Sequence, residues 1–233
     1  GGQAWQDATV FEAVAMGLGG NNYYKNCYVD LKESCLRSET TVKVFDQMRK
    51  LQSYTDEGSP GRDWNVATGM VIEGKAGFQI MGDWAKGEFT AAGKVPGVDY
   101  YCAATPSNNG YLYNVDSFIF YKSSDPDKQA GQQLLAKLMM GKNFQKVFNL
   151  YKGSIPARLD VSMDEFDKCA KTSNADIKTA GAKGGLVPSF AHGMAQGNTM
   201  KAALQDIITE HFNSDMSSVD AANALADSVL ANM

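Results

Sequence analysis

The sequence is poor in the residues that metal and redox chemistry use. It has two histidines, His192 and His211, and four cysteines with no C-x-x-C pair, so no recognisable zinc site can be assembled from it. Asp and Glu number 26 against 22 Lys and Arg, a formal charge of -4 with no basic run, which leaves no electrostatic footprint for nucleic acid. No apolar stretch approaches the roughly 20 residues of a membrane-spanning helix. The chain opens without an initiator Met, a basic n-region or a signal-peptide h-region. Common catalytic signatures are missing as well: there is no G-x-S-x-G elbow, Walker A loop, H-E-x-x-H pair, or G-x-G-x-x-G that opens a helix after a strand. None of Cys27, Cys35, Cys102 and Cys169 carries the local signature of an activated nucleophile.

What is present is a globular composition, 44% hydrophobic and 21% charged over 233 residues, enough for one large domain or two small ones. Asp7 is a candidate N-cap for a helix carrying Phe11, Val14, Ala15 and Leu18, stopped by Gly19-Gly20. Val42, Phe45, Met48 and Leu51 recur at helical spacing over 38–51. Further helices are expected over 65–73, 85–92, 124–140, 143–150, 194–211 and 219–230. Strands are expected over 76–82, 100–103 and 115–121, where β-branched and aromatic residues gather. Residues 152–158 and 181–188 read as loops. Helices alternating with short strands predict an α/β fold.

The binding-type residues cluster around these elements. Asp83-Trp84 follows a strand-glycine turn, joining a charged hydrogen-bonding group to an aromatic plate, the two things a sugar's hydroxyl rim and C–H face require. Asn114 and Asp116 stand two apart at the start of an apolar strand, which would turn both to one side. Each has a plainer reading: Trp84 as core, Asp83 as a helix cap, Asn114 and Asp116 as turn formers, Lys152 as solvated and His192 as a loop histidine. Asp83 and Asp116 could also serve as a glycosidase's carboxylate pair.

Three segments in register carry a more specific signal: 1–20 (GGQAWQDATVFEAVAMGLGG), 78–89 (FQIMGDWAKGEF) and 186–194 (LVPSFAHGM). Together they resemble the glucose/mannose-binding proteins of bacterial ABC importers, within the family 1 extracellular solute-binding proteins. The resemblance implies a type II periplasmic-binding fold, helix-rich with short strands, in which two α/β lobes trap a sugar in their cleft. It implies that residues 1–104 and 151–233 form most of the C-terminal lobe, while 105–150 cross back to complete an N-terminal lobe that nothing in the chain matches. Left without that partner, 111–150 would expose apolar side chains and promote self-association.

The same resemblance implies ligand contacts from Trp84, Asp83, Asn114, Asp116, Lys152 and His192, with Gln3 and Trp5 at a position where relatives place a ligand-facing aromatic. The expected partners are a monosaccharide (glucose, with galactose and mannose not separated from it) and a membrane permease. No cofactor, metal or catalytic residue is implied, and the expected location is periplasmic. That location favours disulfides over four buried thiols. Of the three possible pairings, Cys27–Cys35, closing a short loop, with Cys102–Cys169 is the favoured one. A glycoside hydrolase and a non-catalytic interaction domain stand as the alternative functions.

Overall fold

The computed structural model describes residues 1–107 and 109–233 as a helix-rich α/β chain. Its helices are α1 (Ala4–Tyr24), α2 (Glu33–Leu36), α3 (Glu39–Gln52), α4 (Trp64–Ile72), α5 (Lys86–Ala91), α6 (Pro126–Met139), α7 (Lys142–Lys152), α8 (Lys168–Ala182), α9 (Asn198–Asn213) and α10 (Ser218–Ala231). Among the described residues one two-stranded sheet forms, β1 (Tyr111–Tyr113) pairing in parallel with β2 (Leu186–Pro188), Leu112 opposite Val187. No helix among them is long and apolar enough to cross a membrane.

Several helix ends follow from local chemistry. Ser38 caps α3 by accepting the Thr41 N–H at 3.3 Å, and Ser217 caps α10 through Asp220 at 3.1 Å. Asp125 caps α6 by accepting the amides of Asp127 and Lys128, and Pro126 takes the first turn, where its missing N–H costs nothing. Asp7 is not a cap: α1 starts at Ala4, and Asp7 lies buried inside it, paired with the Gly1 ammonium and accepting from the Thr209 hydroxyl. The Gly19-Gly20 stop is a kink, since Gly20 at φ 71° breaks the helical path before the chain resumes it to Tyr24.

The expected strands over 76–82, 100–103 and 115–121 do not form ladders; residues 96 and 100 make only an isolated bridge. A strand needs a neighbour to take its N–H and C=O groups, and Phe78, Tyr101 and Ile119 instead stand 96%, 82% and 74% exposed. Conversely, β2 arises within the expected loop over 181–188, because Tyr111 and its neighbours supply that partner.

Contacts divide the chain into two compact units. The first comprises Gly1–Gly82, Ala103–Asn114 and Ala175–Met233. Here α1, α3, α9 and α10 pack around Phe11, Phe45, Met48, Leu204, Ile208 and Leu225, all essentially without solvent contact. An aromatic group of Phe11, Tyr24, Tyr28 and Phe190 fills its centre, with Tyr28 and Phe190 centroids 5.0 Å apart. The Cys27–Cys35 disulfide is formed in this unit.

The second unit comprises Asp83–Cys102 and Val115–Asn174. Its buried apolar cluster is small: Val161, Phe166 and Ala170, flanked by Leu150, Ile155 and Met163. Other ties supplement it. Cys102 and Cys169 form a disulfide, Lys86 donates to Asp167 at 2.6 Å, and Phe89 stacks on Tyr100 at 4.1 Å.

Candidate functional site

In the first unit, a buried polar network sits where α1 meets the chain just after β2. Glu12, 3% exposed, lies one residue beyond Phe11 on the inward side of α1. Three donors converge on its carboxylate: the Tyr24 hydroxyl at 2.9 Å, the Ser189 hydroxyl at 2.7 Å and the Ala191 amide at 3.3 Å. Burial, followed by the Glu12 charge, pushes the Tyr24 phenol well above its ordinary range, so it remains a donor. Tyr24 in turn accepts the Phe190 amide at 3.1 Å.

Ser189 passes this network on to His192, taking its backbone N–H at 3.1 Å and meeting its Nδ1 at 2.8 Å. The Trp5 indole packs edge-on to the His192 ring, centroids 5.6 Å apart, and its Nε1–H is donated to the Gln3 amide oxygen. Gln3, Trp5 and His192 are thus gathered by one unit, from segments far apart in sequence. Asn114 belongs to the same unit, half-buried immediately past β1.

In the second unit, Asp83 and Trp84 lie in a single 3₁₀ turn, Asp83–Ala85, leading into α5. Ala85, not Asp83, holds the capping position of α5. The Asp83 carboxylate instead accepts the Ile155 amide at 3.3 Å. Burial raises its pKa, and the charges of Lys86 and Lys152 pull it partly back. Trp84 is half-buried beside it.

Lys152, the last residue of α7, pairs with Asp116 and lies 5.7 Å from the centre of the Phe148 ring. Gly87 of the GDWAKG motif and Gly153, just past α7, explain how α7 comes so near. A Cβ on Gly87 would stand 2.9 Å from the Lys152 carbonyl oxygen, and one on Gly153, at φ 90°, would stand 2.6 Å from the Gly87 nitrogen. Only a backbone without side chains at both places permits the approach. Asp116 lies past the end of β1, so no strand holds Asn114 and Asp116 to one side as the spacing predicts.

Two groups of predicted residues are therefore assembled: Gln3, Trp5 and His192 in one unit, and Asp83, Asp116 and Lys152 beside Trp84 in the other. Sequence reasoning missed Glu12 and Ser189. A signal for Glu12 exists: it follows Ala8 by four positions on the apolar stripe of α1, a place where a carboxylate must be paired. Ser189 has none, since serine before a turn is unremarkable. Among the described residues no cluster of His, Cys, Asp and Glu could hold a metal ion.

Residues 2–181 match the profile of the bacterial extracellular solute-binding proteins. The chain belongs to that family. It is 47% identical over 230 residues to a "Probable sugar-binding periplasmic protein" of Brucella suis, covering 98% of this chain and 54% of the relative. An extracellular-binding protein of an ABC transporter in Pyrococcus horikoshii is 32% identical, with 88% of this chain and 45% of the relative covered. The fold is that of a Streptococcus pneumoniae solute-binding protein solved with the blood group A-trisaccharide, at a TM-score of 0.67 and 18% identity, with 97% of this chain and 58% of that one covered. The chain spans about half the length of the curated relatives it matches.

Proposed function

We propose that this chain is the sugar-binding part of the substrate-binding component of an ABC importer, working in the periplasm and taking glucose or a similar monosaccharide. The observation that carries the reading is the similarity, over nearly the whole chain, to a relative named for sugar binding in the periplasm. The chemistry agrees with it. Trp5 and Trp84 offer apolar plates for a sugar's C–H face, while Gln3, Asp83, Asn114, Asp116, Lys152 and His192 offer donors and acceptors for its hydroxyls.

In the whole protein, residues 1–104 and 151–233 would form most of one lobe and 105–150 would cross to the other. Sugar bridging both lobes would favour the closed form through its differential affinity, and a membrane permease would receive that form. The exposed Phe118, Ile119, Leu134 and Leu138 support this assignment, being the face that the remainder of a longer protein would cover. Alone, the chain would expose that face and self-associate.

Calorimetric titration with glucose, galactose and mannose tests the proposal. The chain alone binds weakly, because part of the hydrogen-bonding shell is missing, and Trp84→Ala or His192→Ala removes what binding there is. Micromolar or tighter binding by the chain alone would contradict the lobe assignment, and normal binding by both variants would contradict the residue assignment. The raised pKa of Asp83 is a property a glycosidase's acid would share. Incubation with chromogenic glycosides separates the two functions, since the binding protein releases no chromophore.

A further inference from the structure

In the first unit, α3 grips the end of α9 and the turn that leads to α10. The Gln52 side-chain amide donates to the Phe212 carbonyl. The Arg49 guanidinium donates to the Met216 carbonyl at 3.0 Å and to the Gln52 amide oxygen at 2.9 Å, which joins the two grips. Next to them, in the last turn of α9, stands His211, only 1% exposed and edge-on to Phe45. Among the described residues neither of its ring nitrogens has a hydrogen-bond partner. A proton taken up here would leave a buried cation with two N–H donors and no acceptor for either.

The charges on the surrounding elements do not rescue that cation. Burial, then the Arg49 charge, pushes the His211 pKa down to about 4, with Asp46 of α3 opposing. On α1, Asp7 is engaged by the Gly1 ammonium and the Thr209 hydroxyl. On α10, Asp220 accepts from the Ser217 hydroxyl and Asp227 from Arg37. Lys50 of α3, Asp206 and Glu210 of α9 and Asp215 of the turn are exposed, and Lys201 stands beside Gly193.

We propose that His211 is the acid-sensitive catch of a clasp that α3 makes on the α9–α10 turn, and that proton uptake releases this turn and the start of α10 while the rest of the first unit stays closed. The open form brings the imidazolium to water and separates it from Arg49, which gives up the Met216 carbonyl. The device does not depend on the sugar-binding reading. Its sign follows from the two states. In the open form the imidazole has its ordinary pKa near 6.5 and in the closed form one of about 4, so acid favours opening. The open population rises about 20-fold from pH 7 to pH 5 and levels off below about pH 4.

The test is amide hydrogen exchange of the chain between pH 7 and pH 5, corrected for the intrinsic rate at each pH. The Asp220 and Ala221 amides, both held by Ser217, should open more readily than those of Ala15 and Met16 within α1. Their opening should rise about 20-fold over this range, and His211→Phe should abolish the rise. Opening that ignores pH would mean the turn frays with His211 still buried, and would overturn the proposal. Opening equal to that of α1 at every pH would do the same, since unfolding of the whole unit would then be the only route. So would an undiminished rise in His211→Phe. A second measurement leaves position 211 intact: with two histidines in the sequence, His192→Gln assigns the His211 imidazole signal, which should titrate below pH 5. Titration near pH 6.5 would overturn the proposal.

Discussion

The two units solve the problem of stability differently. The first closes four helices over an aromatic and aliphatic core and needs its disulfide only to secure a nine-residue stretch, Cys27 and Cys35 being 8 apart. The second buries three apolar residues in its cluster and depends on a disulfide between cysteines 67 apart, a part-buried lysine–aspartate pair and one aromatic stack. A domain that lacks core must be held by cross-links and charges. Both also present sugar-type side chains, but the first fixes His192 through a buried network, whereas the second holds Lys152 through a close backbone approach.

Breaking the cross-links sharpens the contrast most. By loop-closure entropy, losing the longer disulfide costs about 4 kcal/mol and losing the shorter about 2.5 kcal/mol. Cys102→Ser with Cys169→Ser is therefore expected to unfold the second unit well before the first. Cys27→Ser with Cys35→Ser leaves the first unit folded, as denaturant titration followed by near-UV dichroism would read. Equal losses would remove the distinction drawn here. Next in size is Glu12→Ala, which removes the acceptor shared by the Tyr24 and Ser189 hydroxyls and the Ala191 amide; we expect about 2 to 3 kcal/mol lost, confined to the first unit.

A smaller effect comes from acid. His211, buried against Phe45 at 4.8 Å, has its pKa pushed down to about 4 by burial first and the Arg49 charge second, with Asp46 opposing. The unfolded chain takes up that proton from about pH 6.5 downward, while the folded chain resists until about pH 4. The stabilisation is thus full above pH 6.5 and is lost as pH falls through this window. Compared with the parent, His211→Phe should show a flatter dependence of stability on pH between those values; an identical slope would mean the imidazole is not held neutral. Smallest is Ile119→Ser or Leu134→Ser, exposed positions whose change moves stability by less than about 0.5 kcal/mol. These substitutions nevertheless reduce self-association, seen by sedimentation.

Most helical segments were legible because their signal is local, although α8 (Lys168–Ala182) was not expected. The spacing of Val42, Phe45 and Met48 and the Asp125-Pro126 start each act within a turn or two. The pairing of the four cysteines followed from the shortest loop. Strands were not legible, because 76–82, 100–103 and 115–121 have strand-type residues yet find no ladder partner among the described residues, while Leu186–Pro188 becomes a strand on account of residues some 75 positions away. The same locality separates the candidate site residues that sequence reasoning named from those it did not. Asp83-Trp84 and His192 lie in recognisable motifs, but Glu12 and Ser189 gain their meaning only from a contact spanning 177 positions.

The three tryptophans offer the most direct test of the central claim, because Trp5 and Trp84 belong to the proposed sugar-reading groups and Trp64, at the start of α4, does not. Following their indole N–H signals by NMR while glucose is added, we predict that Trp5 and Trp84 each shift in a saturable way and Trp64 stays still. Stationary Trp5 and Trp84 signals at millimolar sugar, or movement of Trp64 alone, would contradict the account.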